Sequence, residues 1–211
     1  MTPSRLLDIA IREFGAKGLE GASTRGIAAA AGTAMSAITY HYGGKEGLYL
    51  AAADRIAALI AERMRDGLAI EAVIDEGDTG GARDGVVRVL MQLADTMASV
   101  ESEEWAPFIV REQMHPTVAF ERLHAGAMGT MLATLARLVG IATGARSRIA
   151  CIAAITLVGQ TTALRASRAM FLRLLETDTL TDDDLDAVKA RIAANTHAIL
   201  DRLIAERQDL P

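Results

Sequence analysis

Cysteine, proline and aromatic residues are all scarce in this chain, which has one Cys, four Pro and 4% aromatics among 211 residues. The single Cys151 excludes an intramolecular disulfide, which disfavours a disulfide-rich secreted scaffold. No Cys-x-x-Cys or His-Glu-x-x-His pattern accompanies the four His residues, so a structural zinc site is also disfavoured. We therefore expect a cytoplasmic protein that has neither a metal nor a cofactor.

The scarcity of proline leaves long stretches free of the residue that interrupts helices, since Pro occurs only at positions 3, 107, 116 and 211. Aromatic residues, which favour strands, are few, whereas the chain has 40 Ala residues, and Ala has the highest helix propensity. The composition predicts an all-α protein.

Long apolar runs and export signals are absent as well. The longest uncharged run, 149–164, is shorter than the ~20 residues that span a bilayer, and it contains three Thr and one Gln. We expect it to be a buried core helix. The first 14 residues interleave charged and apolar side chains and lack the pattern of a signal peptide, so nothing there marks the chain for export.

Charge is distributed unevenly along the chain. The net charge is −5, but residues 1–50 carry five basic against four acidic side chains and are slightly positive. The remainder is therefore acidic. Because phosphate binding depends on Lys and Arg, only the N-terminal part suits a nucleic-acid partner.

Helical periodicity with glycine punctuation organises the first 50 residues. Apolar residues through Phe14 predict helix one, and Ser23 is placed as the N-cap of a short second helix that Gly32 ends. A third helix runs through Ile38 and stops at Gly43. Two short helices joined by a glycine-containing turn predict a helix-turn-helix.

The rest of the chain predicts further helices, about nine in total. Helix four is expected over 45–66, and Pro116 is expected to open helix seven, since Pro is favoured at the first helical position. Helix eight is expected over 146–175. Thr181 and Asp184 have the spacing of a capping box and predict the start of the last helix.

A family resemblance appears at residues 23–50, STRGIAAAAGTAMSAITYHYGGKEGLYL. This segment resembles the DNA-binding domain of the tetracycline-repressor (TetR) family of bacterial regulators, and the likeness extends over residues 4–50 without a gap. The residues that carry it are Phe14, Gly18, Ser23, Arg25, Ile27, Ala28, Ala31, Gly32, Ile38, His41, Lys45, Glu46 and Leu48.

A second likeness lies in the C-terminal part. The segments EWAPFIVREQMHPTVAF and GQTTALRASR, together with YHYGGKEGLY, look like the CecR (YbiH) branch of that family. The branch has been linked to efflux-type transporters, so the resemblance implies control of transport genes. It also implies a three-helix DNA-binding domain over 1–50, joined by helix four to a helical effector-binding and dimerisation domain over 51–211.

The resemblance implies a set of DNA contacts. Thr24 would bind phosphate and Arg25 phosphate or a guanine edge, while the third helix lies in the major groove. Its groove-facing positions and their neighbours are Met35, Ser36, Ala37, Thr39, Tyr40 and His41. Lys45 would bind phosphate at the start of helix four.

One departure affects these assignments. Many family members have Tyr where this chain has Thr39, so the phosphate contact passes here to Tyr40. For Tyr42 and Tyr49, phosphate binding and simple core packing remain equally open alternatives.

The resemblance further implies a homodimer that binds a near-palindromic operator and is released by a small-molecule effector, most simply as a repressor. Small and apolar residues of the last two helices form the expected dimer interface: Gly159, Ala163, Ala166, Val188, Ile192, Ile199 and Leu203. The expected effector pocket is lined by Met97, Trp105, Phe108, Arg111, Met114, Phe120, His124, Met128 and Gln160.

The sequence also bears on two other classes of protein. An enzyme is disfavoured, because His115 or His124 with Glu112 has no accompanying nucleophile, phosphate loop or metal cluster. A helical small-molecule-binding protein without operator binding is the alternative, and the presence of Thr24, Arg25 and Lys45 argues against it. No membrane partner is expected.

Overall fold

The computed structural model describes residues 3–70 and 74–208, and all regular secondary structure within them is helical. The prediction of an all-α protein is confirmed. The α-helices are α1 (Pro3–Gly21), α2 (Thr24–Ala31), α3 (Met35–Tyr42), α4 (Lys45–Arg63), α5 (Arg65–Ala69), α6 (Thr79–Ala98), α7 (Ser102–Met114), α8 (Val118–Leu123), α9 (Gly129–Thr143), α10 (Ser147–Ala166), α11 (Arg168–Leu174) and α12 (Asp182–Gln208).

The described residues contain more helical segments than the nine expected, because three predicted helices are divided. The helix expected over 45–66 ends at Arg63 and is followed by the short α5. A π-helical segment, His124–Met128, separates α8 from α9, and Ser167 separates α10 from α11. Pro116 does not open α8, since Thr117 is the N-cap and its hydroxyl accepts a hydrogen bond from the backbone N–H of Ala119.

The described chain divides into two compact units. The first combines the chain up to Glu62 with Val100–Gly129, and the second combines Arg63–Ser99 with the chain from Thr130 onward. These units describe packing, whereas the boundary expected at residue 50 separates two functions. That boundary stays a prediction.

The core of the first unit is built around α1. It packs against α2 and α7, and the ring of Phe14 meets that of Tyr49 on α4 edge-on, with centroids 4.8 Å apart. Ile27 and Ile38 bring α2 and α3 into the same unit and are fully buried. Helix α1 has a break at Gly18, whose φ of 72° and ψ of 177° lie outside the helical region and suit glycine.

The core of the second unit lies along α6, which packs against both α10 and α12. Leu90 of α6, Leu157 of α10 and Leu200 of α12 are fully buried. A hydrogen bond and a salt bridge join α6 to α12 beside this core: Arg83 of α6 donates to Nδ1 of His197 at 2.9 Å, and Lys189 of α12 pairs with Asp95 of α6 at 2.7 Å. Apolar side chains at the contacts of these three long helices therefore form the core of this unit, and polar pairs join α6 to α12 beside it.

The expected core helix at 149–164 is only half right. Helix α10 buries one face, but Ile149, Ile152 and Ile155 on its other face are exposed. By length and apolar composition alone, Val118–Thr143 and Ser147–Ala166 are able to span a membrane, and core helices of soluble proteins meet the same criterion.

The capping box expected at the last helix is confirmed. The N–H of Asp184 donates to the Thr181 hydroxyl at 3.2 Å, and the Asp184 carboxylate accepts from the Thr181 N–H at 2.9 Å. These hydrogen bonds from Thr181 hold the pKa of Asp184 below its usual value.

Candidate nucleic-acid interface

Helix α2 is fixed at both ends by local hydrogen bonds. The Ser23 hydroxyl accepts from the Gly26 N–H at 3.3 Å, which confirms Ser23 as the N-cap. Gly32 ends the helix in the left-handed conformation with φ 67°. Because both signals are local, the helix can be positioned from sequence alone, and it places Arg25 on the surface.

Helix α3 has one buried side chain, that of Ile38. Met35 is 50% exposed and Tyr40 is 85% exposed, while Ser36, Thr39 and His41 are also on the surface. An eight-residue helix with a single buried anchor gains little stability from packing. Its exposed side chains are therefore available to a partner.

A tight glycine turn connects α3 to α4. Gly43 and Gly44 have φ values of 74° and 118°, which strongly favour glycine. A Cβ at Gly47 would overlap the carbonyl oxygen of Tyr42, so the first turn of α4 has no room for a side chain at this position. The turn fixes α3 and the N-terminus of α4 next to each other.

Lys45 is half-buried at that N-terminus. Its ammonium donates to the carbonyl oxygen of Glu20 at 3.0 Å and so ties α4 to the end of α1. An ammonium has three hydrogens, and this contact uses one of them. The N-terminus of α4 also favours a negative group through the helix dipole.

The structure puts every predicted DNA-contact residue at the surface or half-buried, and on α2, α3 or the start of α4. Arg25, Met35, Ser36, Thr39, Tyr40 and His41 are exposed, and Thr24, Ala37 and Lys45 are half-buried. Of the two tyrosines left open, Tyr49 belongs to the core, because it is buried and donates to the Glu112 carboxylate at 2.6 Å. Tyr42 is half-buried.

The residues expected to line an effector pocket occupy different settings. Met97, Trp105 and Phe108 are buried; Arg111, Phe120, Met128 and Gln160 are half-buried; Met114 and His124 are exposed. Met114, 69% exposed, lies on the surface and not in an enclosed wall as expected. Arg111 donates to backbone carbonyls of α1, and Gln160 accepts from Asn195 at 2.9 Å.

An open groove of about 690 Å³ in the second unit was not expected from the sequence. Its lining comes from the first residue of α6 and the segment before it, the second half of α9 and the residue after it, and the end of α12: Glu76, Thr79, Arg137, Gly140, Ile141, Ala142, Thr143, Gly144, Ile204 and Arg207. None of these residues is among the predicted effector contacts. Among the described residues, no group of three or more His, Cys, Asp or Glu is placed to hold a metal ion.

The residues expected at a dimer interface are mostly accessible. Gly159 and Ala166 are exposed, and Ala163, Val188, Ile199 and Leu203 are half-buried. Ile192 differs, because it is buried within the second unit and packs inside its own chain. Sequence reasoning missed the exposed Ile149, Ile152 and Ile155, which lie on the outer face of α10 at spacings of three residues.

Comparison with known sequences gives two family matches. Residues 82–203 match the family described as HTH-type transcriptional dual regulator CecR, C-terminal domain. Residues 6–52 match the family described as bacterial regulatory proteins, tetR family. Together they cover most of the chain.

One curated relative is the HTH-type transcriptional dual regulator CecR of Shigella flexneri, 35% identical over 144 residues. The match spans 66% of this chain and 64% of the relative, slightly less than two thirds of that protein's length.

Solved structures share the fold at low sequence identity. A TetR-like transcriptional regulator from Rhodococcus sp. RHA1 superposes with a TM-score of 0.64 and 19% identity, covering 93% of this chain and 94% of that one. A TetR-family transcriptional regulator from Streptomyces coelicolor has a TM-score of 0.62 and 20% identity, covering 95% of each chain.

Proposed function

The chain belongs to the TetR family of bacterial regulators, in the group that has the CecR C-terminal domain, and from this premise we propose that it is a DNA-binding transcriptional regulator. The observation that carries the proposal is α3, whose only buried side chain is Ile38. A helix that leaves five of its eight residues exposed suits insertion into the major groove.

The exposed residues divide into phosphate and base contacts. Thr24 and Lys45 bind phosphates, Arg25 binds a phosphate or a guanine edge, and the hydroxyl of Tyr40, a residue that is 85% exposed, adds a phosphate contact. Met35, Ser36, Ala37 and Thr39 face base edges, and the Ala37 methyl is small enough to meet a thymine methyl. His41 helps to hold the DNA backbone. The hydrogen bond from the Lys45 ammonium to the carbonyl oxygen of Glu20 orients the ammonium and leaves hydrogens for a phosphate.

The protein acts as a homodimer. One α2–α3 pair has too few cationic groups for tight operator binding, whereas two copies read half-sites about 34 to 36 Å apart in successive major grooves. The outer face of α10 supports this proposal, because Ile152 and Ile155 are each more than half exposed. Covering such a face removes apolar area from water, and Gly159 allows close approach of a second copy. Met170 and Leu174 of α11 extend the exposed apolar surface next to α10.

Regulation follows the pattern of the family. The dimer represses by occupying a promoter, and a small-molecule effector with different affinities for the bound and free states releases it. The predicted pocket residues and the control of transport or efflux genes belong to this proposal. A protein that acts on chromosomal DNA works in the cytoplasm, associated with the nucleoid when bound.

Selection of genomic DNA fragments by the purified protein, repeated across salt concentrations, tests the proposal. We expect enrichment of a near-palindromic site by the natural chain, and loss of that enrichment in Arg25→Ala. Arg146→Ala removes an equal charge from an exposed position at the start of α10 and serves as the matched control. No enriched sequence, or equal losses in both variants, would contradict operator binding and favour the helical binding-protein alternative.

A further inference from the structure

Helix α7 packs against α1 and contacts α4, the helices that precede and follow α2 and α3 in the chain, although it is outside residues 6–52 that match the DNA-binding family. Its Phe108 is fully buried, and the ring centroid lies 4.6 Å from that of Tyr49 on α4. On the α1 side, a Cβ at Gly15 would stand 3.1 Å from the backbone nitrogen of Phe108. The absence of a side chain at Gly15 thus lets α1 and α7 approach closely.

Arg111 of α7 binds the backbone of α1 close to its break. Its guanidinium donates to the carbonyl oxygens of Gly15, at 3.4 Å, and Ala16, at 3.2 Å. The break at Gly18 interrupts the helical ladder, and carbonyls near a helix end need partners from elsewhere. Arg111 supplies them, and a Cβ at Gly18 would lie only 3.0 Å from its Nη1. Arg111 therefore holds the end of the main part of α1.

The next residue, Glu112, holds α4. Its carboxylate is 1% exposed and accepts from the Tyr49 hydroxyl at 2.6 Å. The other carboxylate oxygen accepts from the N–H and hydroxyl of Thr117, at 3.0 and 2.8 Å, which fixes the start of α8. Burial and the bond to Glu112 raise the pKa of Tyr49, so the phenol remains a donor. All these bonds lie within the first unit.

From these contacts we infer that Arg111 and Glu112 are positioning residues for DNA binding. The two adjacent side chains hold α1 and α4, the helices on either side of α2 and α3 in the chain, while touching no DNA themselves. When they are lost, α3 and Lys45 occupy the binding arrangement only part of the time, and apparent affinity falls by that fraction. The inference rests on the proposed function and extends it to residues of the C-terminal family match.

The test compares one substitution at two positions of α7. Glu112→Gln replaces one of two buried acceptor oxygens with an NH₂ group, which presents hydrogens to the donors on that side and removes the charge that all three bonds share. Glu104→Gln removes only the charge of the exposed pair with Arg12, in which the nitrogen and oxygen are 2.8 Å apart. Tyr49→Phe removes the donor and keeps its ring, so it provides a milder variant should Glu112→Gln fail to fold. Arg111→Met tests the bonds to α1.

Affinity for the selected site is measured well below the unfolding midpoint, where lower stability alone does not change binding. Because a lost hydrogen bond to a charged group changes an equilibrium by about tenfold or more, we expect at least roughly that loss in Glu112→Gln and Arg111→Met. The salt slope should stay unchanged, and Glu104→Gln should behave as the natural chain does. Unchanged affinity, equal losses in the control, or a smaller slope in Arg111→Met would overturn the positioning role.

Hydrogen exchange without DNA separates this inference from the proposed function. We expect faster exchange of amides over 24–42 in Glu112→Gln and Arg111→Met, with α6, α10 and α12 unchanged. If the natural chain selects no DNA sequence, the proposed function has failed, yet exchange still decides whether the two residues hold α1 and α4. Unaltered exchange over 24–42 contradicts the inference whatever DNA does.

Discussion

Ile38 offers the sharpest test of how α3 is held, because it is the helix's only buried side chain and is 1% exposed. Ile38→Ala removes three carbon atoms. At roughly 0.8 kcal/mol per buried CH₂ this loses about 2.4 kcal/mol of transfer free energy, and an unfilled cavity raises the total towards about 5 kcal/mol. Ile38→Val, which removes one carbon, should cost about 0.5 to 1.5 kcal/mol.

The loss should be local. A helix of eight residues is not stable alone, so weakening its one anchor releases α3 before the rest of the chain unfolds. Hydrogen exchange of the α3 amides should therefore accelerate by about the factor that the lost free energy gives, and operator affinity should fall with the docked fraction. The helices of the second unit should keep their protection.

Met35→Ala is the matched control on the same helix. Met35 is half exposed, so its truncation should change the free energy of unfolding by no more than about 0.5 kcal/mol. Its effect should appear in base preference instead. Equal destabilisation by Ile38→Ala and Met35→Ala, or an Ile38→Ala chain with unchanged exchange of the α3 amides, would refute the assignment of Ile38 as the anchor of α3.

Three further predictions concern charge, pH and self-association. Lys45→Ala should weaken binding to operator and random DNA alike and should reduce the salt slope of binding by about one, whereas Arg25→Ala should also alter sequence preference. Competition assays across salt concentrations measure both effects. An unchanged salt slope for Lys45→Ala would show that Lys45 does not contact phosphate. Because the pKa of Asp184 is lowered in the folded state, this carboxylate stabilises the fold above its usual pKa, and the stabilisation is lost as the pH falls through the folded-state pKa. Urea unfolding from pH 5 downward should show this loss. The same loss in Asp184→Asn would show that Asp184 is not its cause. Ile152→Glu should shift sedimentation towards the monomer with little change in helix content, and a full dimer in that variant would exclude the outer face of α10 as the interface.

The proposed DNA-binding helices were predictable because their determinants are local. Ser23 caps α2 through an N–H three residues away, and Gly32 and Gly43 end α2 and α3 with positive φ values. Caps and left-handed glycines act over a few residues, so their sequence signature is short and complete. The exposed positions of α3 then follow from helical periodicity around Ile38.

The role of α7 was not predicted, because its partners are far away in sequence. Arg111 was expected to line an effector pocket, yet it donates to Gly15 and Ala16, more than ninety residues earlier. Every residue has a backbone carbonyl, so the sequence contains no motif that predicts this contact. Glu112 did leave one signal: it falls on the same helical stripe as Phe108 and Ile109, where a buried acid requires donors.

Helix divisions were missed for a similar reason. Nothing in the pattern of residues 116–139 marks a π-helical segment, but a Cβ at Gly126 would stand 2.9 Å from the Cβ of Ala57 on α4. Close packing with another helix selects the glycine there, and periodicity within one segment does not report it. Where packing against a residue distant in sequence requires a particular side chain, the local sequence pattern does not show that requirement.

The contrast between α3 and α7 separates residues chosen for folding from residues chosen for a partner. The side chains of Arg111 and Glu112 bond to α1, to α4 and to the start of α8, so they stabilise the arrangement of helices in the first unit. Met35 is 50% exposed and Tyr40 is 85% exposed, so packing within the fold accounts for little of either side chain, and both are available to a partner. Local rules of folding are broken where function requires it, and in this chain the described residues that break them on α3 are those that the resemblance assigns to DNA. Substituting α3 should therefore change what the protein binds, and substituting the buried face of α7 should change how firmly it is held ready to bind.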